Sequence, residues 1–440
     1  MSRNIEQPEE VRQWLARHPV MQWPEDLSFD DQGVWDAVRA HQGGPRHRHR
    51  ADGLWAGAAV ALALALMLAW VHLTAPAPRL PHPRSVAAQR PLKPVQLGTV
   101  ASAAMAGANG GWVLTTTRQV LRTTSGGQHW QSVTPKGLTS VSASDSLQLA
   151  ARGPNRAWLA VDTPHQAVMV YRTTDGGAHW SSTRVAPIAF GGGGVQMDWV
   201  SALNGWLEVL TAGNASPSAV LYSTTNGGAS WERLTTSTSS ASGHLPFGGI
   251  ITFQTAQSGW VVGSPRAAGQ VPWRYYIAHS RDGGRIWHRV RLPEPPGLPV
   301  PASLGIDILP PVVAPGGSAL LPVMDSETHG ATALVLYAAG LHGAWTVRSE
   351  LKVPAAGALR GPNQPQVAFS SSRDGWAAIN GRLYATIDGG RHWRLVLRSP
   401  AITAWAALQF PTATDGWVLD ARGHLWDTVN GGRAFGQASR

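Results

Sequence analysis

Seven acidic residues outside any repeated pattern could supply catalytic carboxylates. Two carboxyl groups about 5 to 9.5 Å apart can cleave a glycosidic bond, one as the acid and the other as nucleophile or base. We interpret each of the seven as a solvated loop acid, and the pair Asp325 and Glu327 would be the first to test. The seven are Asp145, Asp162, Asp198, Glu208, Asp307, Asp325 and Glu327. We therefore assign no catalytic residue and expect a protein that is not an enzyme.

Cofactor and metal chemistry have little support in the sequence. The chain contains no cysteine, which excludes thiol catalysis and cysteine-bound zinc or iron–sulfur sites. His129, His179 and His392 share one position of a repeat, where a surface side chain is expected. The glycine run at 191–194 has no strand-to-helix context and is interpreted as a flexible loop rather than a phosphate cradle. We predict no cofactor and no metal.

The basic residues indicate a different kind of partner from nucleic acid. The formal charge is +10, from 36 Lys and Arg against 26 Asp and Glu, but it is spread along the chain. Binding to a phosphate backbone usually needs a dense basic stripe. Six arginines at or after one repeated turn could form a basic binding rim, or could simply keep exposed strands soluble. They are Arg285, Arg289, Arg291, Arg391, Arg394 and Arg433.

The elements that carry these residues repeat about every 50 residues. A phrase of the form Thr-x-Asp-Gly-Gly-x-x-Trp ends at Trp130 and recurs at intervals of 50, 51, 56, 106 and 42 residues. The gap of 106 is two periods, and Tyr337 and Trp345 within it mark a seventh, degraded copy. A turn followed by Trp and an apolar run precedes most copies, as at Gly205 and Trp206. Two marks in each period fix the register of the repeat and account for much of the total of 21 Trp.

Each phrase predicts a hairpin between two short strands. Glycine accepts a positive φ, an Asp or Asn side chain accepts hydrogen bonds from turn amides, and a Thr or Ser hydroxyl can close the same network. The terminal Trp offers a large surface for packing on the neighbouring sheet. The structural residues assigned to these turns are Asp175, Trp180, Asn226, Trp231, Asp282, Trp287, Asp388, Trp393 and Asn430.

Seven such units predict a closed ring. An antiparallel sheet of about 49 residues cannot bury both of its faces alone, so it needs a neighbour on each side. Closing the row of sheets removes the two exposed ends, and a β-propeller is the architecture that results. We therefore predict an all-β fold, a seven-bladed β-propeller over residues 96–440.

The repeat resembles a known one. The Thr-x-Asp-Gly-Gly-x-x-Trp phrase resembles the Asp-box, or BNR repeat, and with the Gly-Trp mark it is most similar to propellers of the photosystem II stability and assembly factor family. The resemblance covers about residues 96–440 and implies a non-enzymatic propeller that binds protein. Asp-boxes also occur in sialidases, xyloglucan-cleaving enzymes and sortilin-type receptors. The Phe/Tyr-Arg-Ile-Pro motif that a sialidase would carry is absent.

Before the propeller, the sequence predicts a single membrane span. Residues 53–74 contain no Asp, Glu, Lys or Arg, and 22 residues of helix cover about 33 Å. Arg46, Arg48 and Arg50 precede this segment, which favours a cytoplasmic N-terminus. We expect an uncleaved signal anchor, a partly helical cytoplasmic segment at 1–52 and a Pro-rich spacer at 75–95. The propeller would then be extracytoplasmic, at the cell membrane.

Three functions remain open on this evidence. The leading hypothesis is a membrane-anchored, non-enzymatic scaffold or assembly factor that binds protein partners in a membrane or envelope complex. The second is a transmembrane sensor similar to anti-sigma regulators, in which the propeller binds a ligand and residues 1–50 hold a cytosolic partner. The third is an envelope protein that binds or cleaves glycans.

Overall fold

The structure is a computed structural model, and the described residues all lie within the unit Gln89–Arg440. They are 94–140, 145–163, 166–186, 193–211, 218–236, 249–263, 276–293, 306–316, 318–326, 331–339, 344–354, 364–399, 402 and 404–438. The predicted cytoplasmic segment, the span at 53–74 and nearly all of the spacer lie outside these ranges. Within these ranges, no helix has the length and apolar character that a membrane crossing requires.

The described strands form seven antiparallel sheets, numbered blades 1 to 7 in chain order. Blade 1 contains β1 (Pro94–Val95), β2 (Val100–Met105), β3 (Gly111–Thr115), β4 (Val120–Thr123) and β5 (Trp130–Ser132). Blade 2 contains β6 (Ser146–Arg152), β7 (Arg156–Asp162), β8 (Val168–Thr173) and β9 (Ser181–Ala186). Blade 3 contains β10 (Val195–Trp199), β11 (Gly205–Thr211), β12 (Ser218–Thr224) and β13 (Glu232–Thr236). Blade 4 contains β14 (Ile250–Phe253), β15 (Gly259–Gly263), β16 (Tyr276–Ser280) and β17 (His288–Val290). A short 3-10 helix, Lys136–Ser140, separates blades 1 and 2.

The remaining blades continue the same order. Blade 5 contains β18 (Ile306–Ile308), β19 (Val312–Ala314), β20 (Ser318–Ser326), β21 (Ala331–Ala339) and β22 (Trp345–Pro354). Blade 6 contains β23 (Gln366–Phe369), β24 (Gly375–Ile379), β25 (Arg382–Thr386) and β26 (Arg394–Arg398). Blade 7 contains β27 (Trp405–Gln409), β28 (Gly416–Asp420), β29 (Leu425–Thr428) and β30 (Gly436–Gln437). Blade 5 therefore occupies the gap of two periods, where the sequence predicted a degraded copy.

The seven sheets close into a ring. The first strands of neighbouring blades pack against each other around the ring, except that in blade 5 the second strand, β19, makes these contacts with β14 and β23; β27 of blade 7 packs against β2 of blade 1. This arrangement confirms the predicted all-β, seven-bladed propeller. Blade 1 has a fifth strand, because β1 pairs with the outer strand β5 and places Val95 opposite Trp130. The sheet thus begins at Pro94, two residues before the predicted boundary.

Hydrogen bonds and packing close the seam between blades 7 and 1 without any exchange of strands. The Gln409 side chain accepts a hydrogen bond from the Met105 amide at 2.7 Å and donates one to the Ala103 carbonyl at 2.8 Å. The Val100 amide donates to the Gly423 carbonyl at 2.9 Å. Apolar side chains of both blades form one buried cluster beside these bonds.

The core lies between neighbouring blades and is rich in aromatic rings. The Trp of the Gly-Trp mark is buried, and in three blades it stacks on an aromatic ring at the end of the next blade's first strand. These pairs are Trp158–Trp199, Trp206–Phe253 and Trp376–Phe410, with ring centroids 3.6 to 3.8 Å apart. The same aromatic ring lies over the glycine of its own blade's mark, so that a Cβ at Gly259 would lie 2.3 Å from the Phe253 ring. The mark therefore needs glycine for close packing.

The ring has two different faces. Because successive strands are antiparallel, the hairpins that join first to second and third to fourth strands lie at one end of every blade, here called the turn face. The hairpins between second and third strands and the connections between blades lie at the other end, here called the loop face. The repeated Gly-Gly turns belong to the turn face.

Candidate functional site

The Gly-Gly turns share one hydrogen-bond pattern. The Thr173 hydroxyl accepts a bond from the Gly177 amide at 2.9 Å and donates to Asp175 Oδ1 at 2.9 Å, while Asp175 Oδ1 accepts from the His179 amide at 3.0 Å. Gly176 and Gly177 have φ values of 77° and 86°, in the left-handed region that favours glycine. The corresponding pairs in other blades are Thr224–Asn226, Ser280–Asp282, Thr386–Asp388 and Thr428–Asn430.

In blades 2, 3, 4 and 6, the Trp that ends the Gly-Gly turn packs edge-on against an aromatic ring. Trp180 meets Trp112 of the preceding blade at a centroid distance of 6.2 Å, and its Nε1 donates to the Val133 carbonyl at 2.7 Å. The other T-shaped pairs are Trp231–Trp199, Trp287–Phe253 and Trp393–Phe369. These hydrogen bonds and ring contacts lie within the protein and position the blades, whereas Trp130 Nε1 and Trp231 Nε1 are buried without a hydrogen-bond partner among the described residues.

A second set of hydrogen bonds joins blades through the Trp of the Gly-Trp mark. In three blades its Nε1 donates to the carbonyl of the first glycine in the next blade's turn, at 2.8 to 3.0 Å. These bonds are Trp158–Gly227, Trp206–Gly283 and Trp376–Gly431. The sequence did not predict these hydrogen bonds, although the Gly-Trp mark and the Gly-Gly turn recur together and this regularity was the signal available for them.

Three of the seven candidate acids are buried and a fourth is half-buried, so the expectation that they are solvated loop acids is wrong for these four. Asp145, Asp162 and Glu208 are at most 7% exposed, and Asp198 is half-buried on β10. The physical reason is that backbone amides in or just before the first strand of the next blade need acceptors. Three of the carboxylates supply them, in the pairs Asp162 with Gly194 at 2.9 Å, Asp198 with Phe253 at 2.5 Å and Glu208 with Gly249 at 3.3 Å.

Burial raises the pKa of two of these acids. Desolvation raises the pKa of Glu208 to about 8, against the amide bond from Gly249, so Glu208 is mostly protonated at neutral pH. Desolvation also raises the pKa of Asp198 to about 6, opposed by the amides of Phe253 and Trp199. Both groups lie between blades 3 and 4 and hold backbone there. This position serves the fold rather than a substrate.

The other candidate acids and the search for metal ligands give no further evidence for a functional site. Asp307 lies on β18 and Asp325 on β20, whereas Glu327, the second member of the predicted pair, lies outside the described residues. Among the residues that the structure describes, no three His, Cys, Asp or Glu side chains come together as metal ligands.

The structure divides the predicted basic rim into two groups. Arg285, Arg289 and Arg291 belong to blade 4, Arg391 and Arg394 to blade 6 and Arg433 to blade 7; all six are exposed. Blade 5 separates the groups. Arg285 is already paired, because its guanidinium donates to both carboxylate oxygens of Glu232 at 3.0 and 2.9 Å.

Blade 6 brings together a different group of arginines. Arg398 on β26 lies directly opposite Arg382 on β25, and Arg394 lies at the start of β26. Neither strand contains an acidic residue. Burial raises the pKa of the neighbouring Tyr384 hydroxyl, and the positive charges of Arg382 and Arg398 oppose that rise. We call Arg382, Arg394 and Arg398 the arginine edge; of these, the predicted rim contained only Arg394.

The ring of seven four- and five-stranded sheets places the protein among the seven-bladed β-propellers. No family model and no curated protein matches the chain. Among solved structures it is similar to "YCF48 bound to D1 peptide", with a TM-score of 0.50 and 17% identity over 78% of this chain and 96% of that one.

Two further solved structures resemble the chain at lower TM-scores. YCF48 from Cyanidioschyzon merolae matches at 0.46 with 18% identity, over 78% of this chain and 99% of that one. An ancestral GH74 enzyme matches at 0.44 with 16% identity, over 80% of this chain and 47% of that one. The similarity to the first of the three structures, at 17% identity, shows the fold alone.

Proposed function

We propose that the protein is a membrane-anchored, non-enzymatic propeller that binds an acidic segment of a protein partner, as a scaffold or assembly factor for a membrane or envelope complex. The observation that carries the proposal is the arginine edge of blade 6. The anchor is the apolar segment 53–74, with the N-terminus in the cytoplasm and the propeller outside.

Electrostatics favours an anionic partner at this edge. Like charges directly opposite each other on adjacent strands destabilise a sheet, and Arg382 and Arg398 are such a pair. Neither strand carries a carboxylate, and the one acidic residue of the hairpin, Asp388, lies in the turn and pairs with His392. A carboxylate from a partner would relieve the repulsion and form charge-assisted hydrogen bonds, which are about twice as strong as neutral ones.

The backbone at the same place can accept a strand. β26 is the outermost strand of its sheet and pairs only with β25 among the described strands. An extended peptide can add to such an edge, with main-chain bonds giving affinity and side-chain contacts giving specificity. Blade 1 demonstrates this arrangement within the molecule, since β1 pairs in that way with the outer strand β5.

The comparison with solved structures supports a peptide as the ligand. One propeller of similar fold is described as bound to a D1 peptide, which shows that a protein segment can bind to this architecture. We extend that property, and no more specific one, to the present chain.

A peptide titration tests the proposal. The probe is a fluorescein-labelled peptide of alternating Glu and Val residues, titrated with the full-length protein and followed by anisotropy. Arg398→Gln should weaken binding about tenfold, because a hydrogen bond to a charged group contributes about 1.5–3 kcal/mol. The matched control is Arg184→Gln, an exposed arginine on the outer strand β9 that faces Met169 instead of a second arginine.

The titration has clear opposing outcomes. Binding that is lost in Arg398→Gln, kept in Arg184→Gln and weakened by salt supports an acidic ligand at the arginine edge. Equal affinity in the wild type and both variants, or equal binding of a peptide with Lys in place of Glu, contradicts it.

A further inference from the structure

Exposed aliphatic side chains mark the turn face of the ring. Among the residues that the structure describes, five large hydrophobic side chains are exposed, and four of them lie in turn-face hairpins. These four are Leu203, Ile286, Ile387 and Val429, with exposed fractions of 55%, 48%, 63% and 72%. The fifth, Leu395, is the second residue of β26 and lies next to the same face. Exposed apolar residues are ordinary when they are scattered, but these share one side of the ring.

The repeat does not require these side chains. The residue between the Thr and the Asp or Asn of the Gly-Gly turn is Ile387 in blade 6 and Val429 in blade 7, whereas blades 1, 2 and 3 have threonine there. Ile286, two residues after the glycine pair of blade 4, corresponds to histidine in blades 1, 2 and 6. An apolar side chain that stays in water in the folded protein contributes little to folding. The fold therefore does not explain the four aliphatic tips.

The carboxylates of the turn face are used within their own hairpins. Asp388 Oδ1 accepts hydrogen bonds from the Thr386 hydroxyl and from the Arg391 and His392 amides at 2.8 to 3.0 Å. Asp388 Oδ2 pairs with His392 Nδ1 at 2.6 Å. The other acidic residues in described turn-face hairpins also accept a bond from a Ser or Thr hydroxyl; they are Asp175, Asp282, Asp374 and Asp415.

Three arginines surround the turn of blade 6. Each donates a hydrogen bond to one carbonyl of residues 387–389, from Arg373, Arg391 and Arg348 at 3.2, 2.8 and 3.0 Å respectively. A guanidinium group has five N–H donors, so each arginine retains donors beyond this bond. Arg373 and Arg391 are exposed. An aliphatic tip at 387 is thus bordered by groups that can donate to phosphate.

The chain enters the propeller next to the turn face. Trp130 ends the Gly-Gly turn of blade 1, and Val95 lies directly opposite it on β1. Residues 75–93 link β1 to the apolar segment 53–74, and 19 residues of extended Pro-rich chain span about 60 Å. A bilayer crossed by segment 53–74 would therefore be within reach of the turn face.

We propose that the turn face docks onto the headgroup layer of a phospholipid bilayer. The aliphatic tips of blades 3, 4, 6 and 7 enter the boundary between headgroups and acyl chains, where burial of apolar area drives binding. The arginines donate charge-assisted hydrogen bonds to lipid phosphates. The choice of a bilayer rests on the membrane anchor of the proposed function, whereas the arginine edge, on the outer strand of blade 6, plays no part in docking.

Site-specific labelling of the full-length protein tests docking. The chain has no cysteine, so Val429→Cys and Ala421→Cys each provide one thiol for a bimane label. Both positions are exposed in blade 7, Val429 on the turn face and Ala421 in the loop-face hairpin between β28 and β29. Each labelled protein is reconstituted into vesicles of phosphatidylcholine and phosphatidylglycerol, with or without a lipid that carries a nitroxide on its acyl chain. The nitroxide should quench the label at 429 and leave the label at 421 unchanged.

A second substitution measures the contribution of one tip. Ile387→Thr, in the labelled Val429→Cys protein, introduces the residue that blades 1 to 3 have at this position, so the turn should fold normally. It should shift the equilibrium about tenfold toward the undocked protein, because one aliphatic side chain no longer enters the lipid. Thr174→Ser, at the same position of blade 2, is the matched control and should leave quenching unchanged.

Several results would overturn the proposal. They are no quenching at 429, equal quenching at 429 and 421, or quenching that Ile387→Thr does not reduce. A change in emission at 429 without quenching by the nitroxide would indicate a second copy or another protein on the turn face, and would also contradict lipid docking.

Failure of docking and failure of the proposed function can be told apart. If the full-length protein does not insert into vesicles, the anchor is wrong, and the labelled protein is mixed with preformed vesicles for the same comparison of 429 with 421. Arg398→Gln should leave quenching unchanged even where it abolishes peptide binding, because the arginine edge is a separate surface.

Discussion

Removal of one inter-blade hydrogen bond should measurably destabilise the ring. Trp206 Nε1 donates to the Gly283 carbonyl at 2.8 Å, from blade 3 to blade 4, and both groups are buried. Trp206→Phe removes the donor and leaves that carbonyl without its partner. A buried polar group left unsatisfied costs about 1–3 kcal/mol, to which the loss of ring volume adds.

A matched substitution separates the two contributions. Trp112 is fully buried at the corresponding position of blade 1, but its Nε1 has no hydrogen-bond partner among the described residues. The Arg122 guanidinium lies 5.6 Å from the Trp112 ring and beside Gly176, the glycine that would otherwise accept the bond. Trp112→Phe therefore loses the same volume and no hydrogen bond.

The two variants are compared by urea unfolding of the full-length protein, followed by far-ultraviolet circular dichroism. Trp206→Phe should lower the free energy of unfolding by about 1–3 kcal/mol more than Trp112→Phe. Equal destabilisation, or a larger effect in Trp112→Phe, would refute the idea that these Trp–carbonyl bonds stabilise the ring.

Three further predictions concern packing, closure and pH. Gly259→Ala places a Cβ 2.3 Å from the Phe253 ring and should lower stability by about 1–3 kcal/mol, whereas Gly98→Ala, which meets nothing within 4 Å, should not. Gln409→Ala removes two of the three seam bonds and should accelerate hydrogen exchange in β2 and β27. Because the pKa of Glu208 is raised in the folded protein, its contribution to stability is present at low pH and is lost as pH rises from about 4.5 to about 8. The free energy of unfolding in urea should therefore decrease less between pH 5 and pH 8 in Glu208→Gln than in the wild type.

Each of these predictions can fail. Equal stability of the two alanine variants would remove the packing reason for glycine in the Gly-Trp mark. Unchanged exchange in β2 and β27 after Gln409→Ala would mean that the two Gln409 bonds do not help to close the seam. The same pH dependence in Glu208→Gln and the wild type would mean that this carboxyl is not protonated in the folded protein.

The ring could be predicted because each period carries two independent marks. Even blade 5, which lost the Asp and Thr of its turn, kept Tyr337 and Trp345, and both are buried in the structure. The aromatic residue six positions before the mark glycine, such as Phe253 before Gly259, was missed although its spacing was visible. Its role depends on contact with the preceding blade, which a single repeat does not reveal.

The site residues were harder to predict for physical reasons. Glu208 lies on the same face of β11 as Trp206, but Leu207 on the opposite face is buried as well, because each sheet packs against a neighbour on both sides. Period-two alternation therefore does not separate buried from exposed positions on this strand. The pair Arg382 and Arg398 depends on a bulge near Leu383 that shifts the register, which sequence alone does not fix.

Hydrogen exchange on the complex tests the central functional claim most directly. The full-length protein is labelled in deuterated buffer with and without the alternating Glu and Val peptide, and exchange is measured by mass spectrometry. Binding along the arginine edge should slow exchange in β26, residues 394–398, and leave the outer strand β9 of blade 2 unchanged. Protection that is absent from β26, or equal on both outer strands, would contradict the account.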